Sequence, residues 1–161
     1  MKVENIRIQY DTYVSQDELE SSDLELLNAA RANLKKSYSP YSNFKVACAI
    51  RLGNGKIITG TNQENASFPV GLCAERVALS AVDAMHRGVK IIEMAITASS
   101  ERHEIDHPIA PCGNCRQAIS EAQLKSGNAI KIILQGESGQ VFIFKSIDQL
   151  LPFSFNHEYL Q

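Results

Sequence analysis

The chain has 161 residues, of which 44% are hydrophobic and 21% are charged, and it carries no tryptophan. A net charge of −2 and a pI of about 6.1 give no electrostatic footprint for nucleic acid or for an anionic membrane. No apolar stretch approaches the roughly 20 residues of a membrane-spanning helix, and the N-terminal segment lacks the apolar region of a secretory signal. We therefore expect a single-domain cytoplasmic protein whose four cysteines are unpaired.

The N-terminal third predicts one helix after an ambiguous start. Residues 1–14 alternate loosely between apolar and polar side chains, which fits either a strand or an unstructured arm. The segment Ser22-Asp23-Leu24-Glu25 has the form of a capping box. Apolar residues then recur on one helical face until Pro40 stops the element, so we predict a helix over about 23–37.

The rest of the chain predicts alternating strands and helices. The Asn54-Gly55 turn favours a hairpin of two antiparallel strands. Five strands are predicted in all, at 44–52, at 56–61 and in "VKIIEMAITAS", "AIKIILQ" and "QVFIFK". Further helices are predicted at about 73–87 and 112–122, with a short one over 147–151. This order indicates one mixed sheet with helices on its faces.

Four cysteines, Cys48, Cys73, Cys112 and Cys115, allow three kinds of site. All four could form a closed structural zinc site, although Cys48 lies in mid-strand among apolar neighbours, as a core thiol does. The motif "PCGNC" could be a redox pair, but thioredoxin-like motifs directly follow a strand, and here a polar loop intervenes. The third possibility is an open site that uses three cysteines and leaves Cys48 out.

The open site has a physical basis in helix termini. Cys73, Cys112 and Cys115 lie at predicted helix N-termini, where free N–H groups and the helix dipole favour thiolate over thiol. Three protein ligands leave the fourth tetrahedral position of zinc for water, as in catalytic sites. Three thiolates make the metal cluster negative, which weakens its ability to acidify the bound water. A local base is therefore needed, and Glu75 could reach that water. Arg76 could donate to the ligand sulfurs, or it is a solvated helix residue.

Several stretches resemble the cytidine deaminases, in their small homo-oligomeric class with three cysteine ligands. The zinc motifs are matched by "LCAERVALSA" and "PCGNCRQAI", and other segments by "SYSPYSNFKV", "TNQENASFPVGLCAER" and "LLPFSF". The match runs in order from about residue 24 to residue 160. It implies an α/β, cytidine deaminase-like three-layer α-β-α fold with a five-stranded mixed sheet. One catalytic domain would span residues 21–161, after an N-terminal extension of uncertain structure over residues 1–20.

The resemblance also implies a reaction: hydrolytic deamination of cytidine and 2′-deoxycytidine to the uridines and ammonia, in pyrimidine salvage. One Zn²⁺ per chain would be held by Cys73, Cys112 and Cys115. Zinc-bound hydroxide would attack ring C4, while Glu75 takes a proton from the water and delivers protons to ring N3 and to the leaving ammonia.

The same resemblance assigns residues to the nucleoside. Asn62 and Glu64 match the pair that hydrogen-bonds the ribose 3′-hydroxyl, Phe44 matches the aromatic that packs on the base, and the Ala74 backbone would lie beside the reacting end of the ring. The implied assembly is a homotetramer in which a neighbouring subunit completes each site. The residues implied to reach into that neighbour's site are Ala66, Phe68 and Phe155.

Three positions depart from the family's usual pattern. Ala47 and Cys48 follow the strand's Val46 where glycine and alanine are common, and Phe68 replaces a common tyrosine. A related enzyme acting on another cytosine-containing compound such as blasticidin S is an alternative, against which the Asn62 and Glu64 pair argues. An enzyme acting on polynucleotides is disfavoured because the chain is acidic and lacks aromatic platforms. A non-enzymatic zinc module also stays open.

Overall fold

The computed structural model describes residues 1–160 and forms three helices and six strands in one mixed sheet. The helices are α1 (Ser21–Asn33), α2 (Ala74–Met85) and α3 (Gly113–Ser126). The strands are β1 (Asp11–Tyr13), β2 (Phe44–Leu52), β3 (Ile57–Thr61), β4 (Ile91–Ser100), β5 (Lys131–Gln135) and β6 (Val141–Phe144). The predicted α/β class is confirmed. None of the helices in residues 1–160 has the length and apolar character needed to cross a membrane.

The sheet has the strand order β1-β6-β5-β4-β2-β3. Only the central β4–β5 pair is parallel, and every other neighbouring pair is antiparallel. The predicted count of five strands is wrong by one, because Asp11–Tyr13 adds an edge strand opposite Val141–Ile143. A strand of three residues is too short to be recognised from an alternating sequence pattern. Its conformation is set by pairing with the edge of the sheet at β6. Tyr10 reinforces this edge, with its ring 4.9 Å from that of Phe142.

The sheet separates two hydrophobic cores, which confirms the three-layer arrangement. On β2, Ala47 and Ala49 point into the core beneath α1, whereas Cys48 and Ile50 point into the core beneath α2 and α3. This alternation follows from the two-residue period of a strand. The candidate site therefore belongs to the α2 and α3 layer, and α1 covers the opposite face.

Several predicted helix boundaries are corrected. Helix α1 begins at Ser21 and has no side-chain cap, so the predicted capping box does not form. Glu25 instead pairs with Arg51, at 3.0 Å between Oε2 and Nη2. Helix α3 continues to Ser126 and ends at Gly127, which takes a left-handed conformation with φ 67°. The predicted helix over 147–151 is a short 3₁₀ turn, Ile147–Gln149.

A buried charge network attaches α1 to the sheet. The Glu93 side chain, 5% exposed, pairs with Arg51 Nε at 2.6 Å and with Lys131 Nζ at 2.7 Å. Lys131 also pairs with Asp23 in the first turn of α1. Burial disfavours the ionised form of Glu93, but hydrogen bonds from Lys131 and Arg51 outweigh it and lower the pKa of this carboxyl group.

We expect Glu93→Gln to lower the free energy of unfolding near neutral pH by about 2 kcal/mol, since it removes a buried charged hydrogen-bond acceptor. Because the folded-state pKa is lowered, the carboxylate stabilises the fold fully above its ordinary pKa of 4.5 and loses that effect as pH falls through the folded-state pKa. Urea denaturation at fixed protein concentration should therefore show the difference between wild type and variant shrinking in acid.

The control for this measurement is Glu101→Gln, since Glu101 is 60% exposed in its pair with Lys45. An exposed pair of this kind contributes little to stability because water and salt screen it. Equal effects of the two substitutions, or a pH-independent Glu93 effect, would contradict the role given to the network.

Candidate active site

Three cysteines meet where α2 and α3 begin. Cys73 is the residue immediately before α2, Cys112 is the residue immediately before α3, and Cys115 lies in the first turn of α3. The Sγ atoms of Cys73 and Cys112 are 3.9 Å apart, and the three sulfurs all lie within 4.8 Å of one another. The two helix N-termini, which are 39 positions apart in the chain, thus converge on one point.

Close packing of α2 on β3 fixes one side of this point. A Cβ atom at Gly60 would overlap backbone atoms of Ala74 and Ala78, so only glycine lets the first turns of α2 lie this near the sheet. The sequence around Gly60 predicts a strand but gives no indication of this contact. The packing sets the height at which Cys73 and the first turn of α2 stand above the sheet.

The three sulfurs fit a zinc ion. A tetrahedral ion with Zn–S bonds of about 2.3 Å needs sulfurs roughly 3.8 Å apart, close to the separation of Cys73 and Cys112. Thiolates are soft ligands that select zinc over hard cations such as magnesium. Cys48 is fully buried in the core and is not a member of this group. All four cysteines are free thiols.

Glu75 lies beside the cysteines on the first turn of α2 and is 4% exposed. Burial raises the pKa of its carboxyl group, and hydrogen bonds from its own backbone N–H and from Cys115 only partly oppose that effect. Burial and the charge of Glu75 likewise raise the pKa of the Cys115 thiol. Negative charge is therefore disfavoured on Glu75 and Cys115. At Cys112, by contrast, burial is outweighed by hydrogen bonds from Cys115 and Cys73, which lower the pKa of the thiol. A divalent cation would compensate the negative charge of the cluster.

A cavity of about 700 Å³ opens above Glu75 and the cysteines. It contains most of the residues that the sequence predicts for the site. Those that line it are Asn62, Glu64, Ala66, Phe68, Cys73, Ala74, Glu75, Arg76 and Cys112. Three predicted residues do not line it, namely Phe44, Cys115 and Phe155.

Asn62 and Glu64 have structural contacts that the sequence does not reveal. The Asn62 amide accepts a hydrogen bond from the Val46 N–H at 2.7 Å and donates to the Phe44 carbonyl at 2.9 Å. Glu64 Oε2 accepts from the backbone N–H of Tyr41 at 2.9 Å. Both side chains therefore hold neighbouring segments of the chain in place at the cavity.

Phe44, Phe155 and Arg76, which were predicted for the site, do not make their predicted contacts within residues 1–160 of the single chain. On β2 the cavity wall is Val46, two residues beyond the half-buried Phe44 on the same face of the strand. Phe155 is 58% exposed, and its carbonyl accepts from Gln117 Nε2 at 2.7 Å. Among the hydrogen bonds of residues 1–160, none joins Arg76 to a cysteine sulfur.

Several cavity residues were missed by sequence reasoning. The cavity is also lined by residues from separate loops, from β4 and from the first turn of α3, namely Tyr41, Gln63, Ile96, Ile109 and Asn114. Some of them lie within the family-like stretches, but none had a predicted role, and only the folded chain brings them together.

Comparisons with known proteins agree with this geometry. A sequence model of the cytidine and deoxycytidylate deaminase zinc-binding region matches residues 20–129. A cytidine deaminase of Mycoplasma genitalium is 42% identical over 89 residues, which are 55% of this chain and 63% of that protein. A cytidine deaminase of Halalkalibacterium halodurans is 34% identical over 123 residues, 76% of this chain and 85% of that protein.

Solved structures show the same likeness. The crystal structure of a cytidine deaminase from Burkholderia pseudomallei is 39% identical, with a TM-score of 0.70. The match covers 81% of this chain and 97% of that one. The predicted family and its zinc cofactor are thereby confirmed. Since the family model spans residues 20–129 and the three cysteines form the expected cluster, the chain belongs to the cytidine and deoxycytidylate deaminase family of zinc-dependent hydrolytic enzymes.

Proposed function

We propose that this protein deaminates cytidine and 2′-deoxycytidine hydrolytically, giving uridine, 2′-deoxyuridine and ammonia in cytoplasmic pyrimidine salvage. The observation that carries the proposal is the position of Glu75, a buried carboxyl group beside three convergent thiols at the floor of a cavity. A closed structural zinc site needs neither the carboxyl group nor the cavity. The names of the relatives support the same substrate class.

In the proposed mechanism Cys73, Cys112 and Cys115 hold the zinc ion. The chemistry that zinc supplies in such a site is Lewis acidity, which makes water nucleophilic near neutral pH. Glu75 would accept a proton from that water and donate it to ring N3, and it would then take the proton of the new C4 hydroxyl and donate it to the departing amino group. Its rigid attachment to the first turn of α2 holds the carboxyl group in one place throughout both transfers.

The nucleoside would lie in the cavity with its sugar toward Asn62 and Glu64. Glu64 keeps one carboxylate oxygen, Oε1, that accepts none of the hydrogen bonds found among residues 1–160. That oxygen can accept a hydrogen bond from the ribose 3′-hydroxyl, and the second Nδ2 hydrogen of Asn62 can donate a hydrogen bond to the oxygen of the same hydroxyl. The base would lie beside the Ala74 backbone against the cavity wall at Val46, whereas Phe44, the aromatic predicted to pack on the base, does not itself line the cavity.

We propose that residues 21–161 form the catalytic domain and that residues 1–20 are an extension to it. We also propose that four copies of the chain assemble and complete one another's active sites. Phe68 is 91% exposed and Phe155 is 58% exposed in the single chain. Burial of these aromatic rings against a neighbour would remove a large apolar area from water. Ala66 lies on the same loop as Phe68, and we propose that it also contacts the site of the neighbouring subunit.

Substrate identity can be tested with a panel of cytosine compounds. We expect steady-state turnover of cytidine and 2′-deoxycytidine to exceed that of free cytosine and of blasticidin S, because only the two nucleosides combine the base with the 3′-hydroxyl expected between Asn62 and Glu64. Turnover of free cytosine and blasticidin S alone would sink the proposal and favour a relative with another substrate.

Replacement of Glu75 tests its role in proton transfer. We expect Glu75→Gln to keep the volume of the side chain and one zinc per chain, while kcat for cytidine falls by about three orders of magnitude. The measurements are metal analysis by mass spectrometry and the rate of absorbance change at saturating cytidine. A variant that retains wild-type turnover would show that another group moves the protons.

Replacement of single cysteines tests the ligand set. We expect Cys112→Ala to lose zinc and Cys48→Ala to retain one zinc per chain, with a stability loss of about 1 kcal/mol from the small cavity left in the core. Metal content after exhaustive dialysis distinguishes the two variants. Loss of zinc from Cys48→Ala would instead favour a closed site of four thiolates.

A further inference from the structure

Residues 101–111 connect β4 to α3 and form one wall of the cavity; we term them the wall loop. Ile109 and Ala110 line the cavity, and the loop leads directly to Cys112. The wall loop has no regular secondary structure, and most of its side chains are exposed. Its position over the cavity therefore depends on contacts with the rest of the fold.

Glu137, in the turn between β5 and β6, joins the buried middle of this loop at Ile105 to the last residue of β4, Ser100. Its Oε2 accepts from the Ile105 N–H at 3.1 Å, and its Oε1 accepts from the Ser100 N–H at 3.2 Å. The Glu137 N–H donates in return to the Ile105 carbonyl at 2.7 Å. Ile105 is 1% exposed, so this one residue of the wall loop is fixed by its side chain and by both of its backbone groups.

The turn itself is held against the centre of the sheet. Thr97 Oγ1 on β4 donates to the Gly136 carbonyl at 2.9 Å. A Cβ atom at Gly136 would collide with the carbonyl oxygens of Ile105 and His107, so turn and loop are in direct backbone contact. A rigid strand pair thus supports a loop that has no regular structure of its own.

The far end of the wall loop has a separate support. Arg116 on α3 donates from Nε to the Pro111 carbonyl at 2.9 Å and from Nη1 to the Leu150 carbonyl at 3.0 Å. This contact secures the end that carries Cys112. Loss of the Glu137 contacts would therefore loosen the part that bears Ile109 and Ala110 without releasing the metal ligand.

We propose that Glu137 is a positioning residue for substrate binding, which fixes the wall loop so that Ile109 and Ala110 present a preformed surface to the nucleoside. Glu137 does not line the cavity and acts only through the loop. The inference rests on the proposed function. When the binding-competent form of a loop is only partly populated, apparent affinity falls by that fraction, while the chemistry of bound substrate is unaffected.

The test compares two variants with a matched control in the same turn. We expect KM for cytidine to rise roughly tenfold in Glu137→Ala and about threefold in Glu137→Gln, which keeps a single carbonyl acceptor, with kcat within about twofold of wild type. Both variants should retain one zinc per chain and show faster hydrogen exchange in residues 101–110. Ser138→Ala removes one exposed side-chain contact to Glu104 of the wall loop but keeps every hydrogen bond to the Ile105 backbone, so it should match wild type.

Faster exchange in residues 101–110 with an unchanged KM would overturn the inference, because the loop would then not shape the binding surface. Unchanged exchange in both variants, or a fall in kcat with loss of zinc, would also overturn it. A wild-type protein that does not deaminate cytidine would contradict the proposed function. Wild-type activity combined with an unchanged KM in both Glu137 variants would contradict this inference alone.

Discussion

The structure depends on bringing three thiols and one carboxyl group together at the N-termini of α2 and α3. Burial already disfavours charge on Glu75, and burial together with the negative charge of Glu75 raises the pKa of the thiols of Cys73 and Cys115. A cation bound among them would compensate the charge of the thiolates, which would couple metal binding to local folding. The four side chains of this cluster are also those that can perform the reaction.

Helices α2 and α3 must be held firmly in place if their N-termini are to keep the three thiols and Glu75 together. On one side Gly60 lets α2 approach β3 until backbone atoms touch, and on the other Arg116 holds the segment that precedes α3. The wall loop, held by Glu137, completes the cavity between them. On the opposite face of the sheet, the Glu93 network attaches α1, so the strands beneath the site are packed on both sides.

The family, the three-cysteine cluster and the position of Glu75 beside it could be predicted because short motifs carry them. Cys112 and Cys115 lie one helical turn apart, and Cys73 and Glu75 open the other helix, so local spacing already indicates the chemistry. The hairpin at Asn54-Gly55 was equally predictable, because its turn residues suit the geometry.

Features that arise from contacts between distant segments could not be predicted. The edge strand Asp11–Tyr13 exists because β6 offers it a partner. Helix α1 begins at Ser21, so Ser22 lies inside the helix and cannot cap it, and Glu25 pairs with Arg51. The same limit applies to Glu64, which looks like a residue with no structural role in the sequence yet caps the backbone at Tyr41. The anchoring of the wall loop by Glu137 likewise has no local signature.

The central claim is that the metal centre is open, with three cysteine ligands and a fourth position for water. X-ray absorption at the zinc edge of the purified holoprotein tests it most directly. We predict three sulfurs at about 2.3 Å and one oxygen at about 2.0 Å from the metal. A shell of four sulfurs would contradict it and would make the site structural.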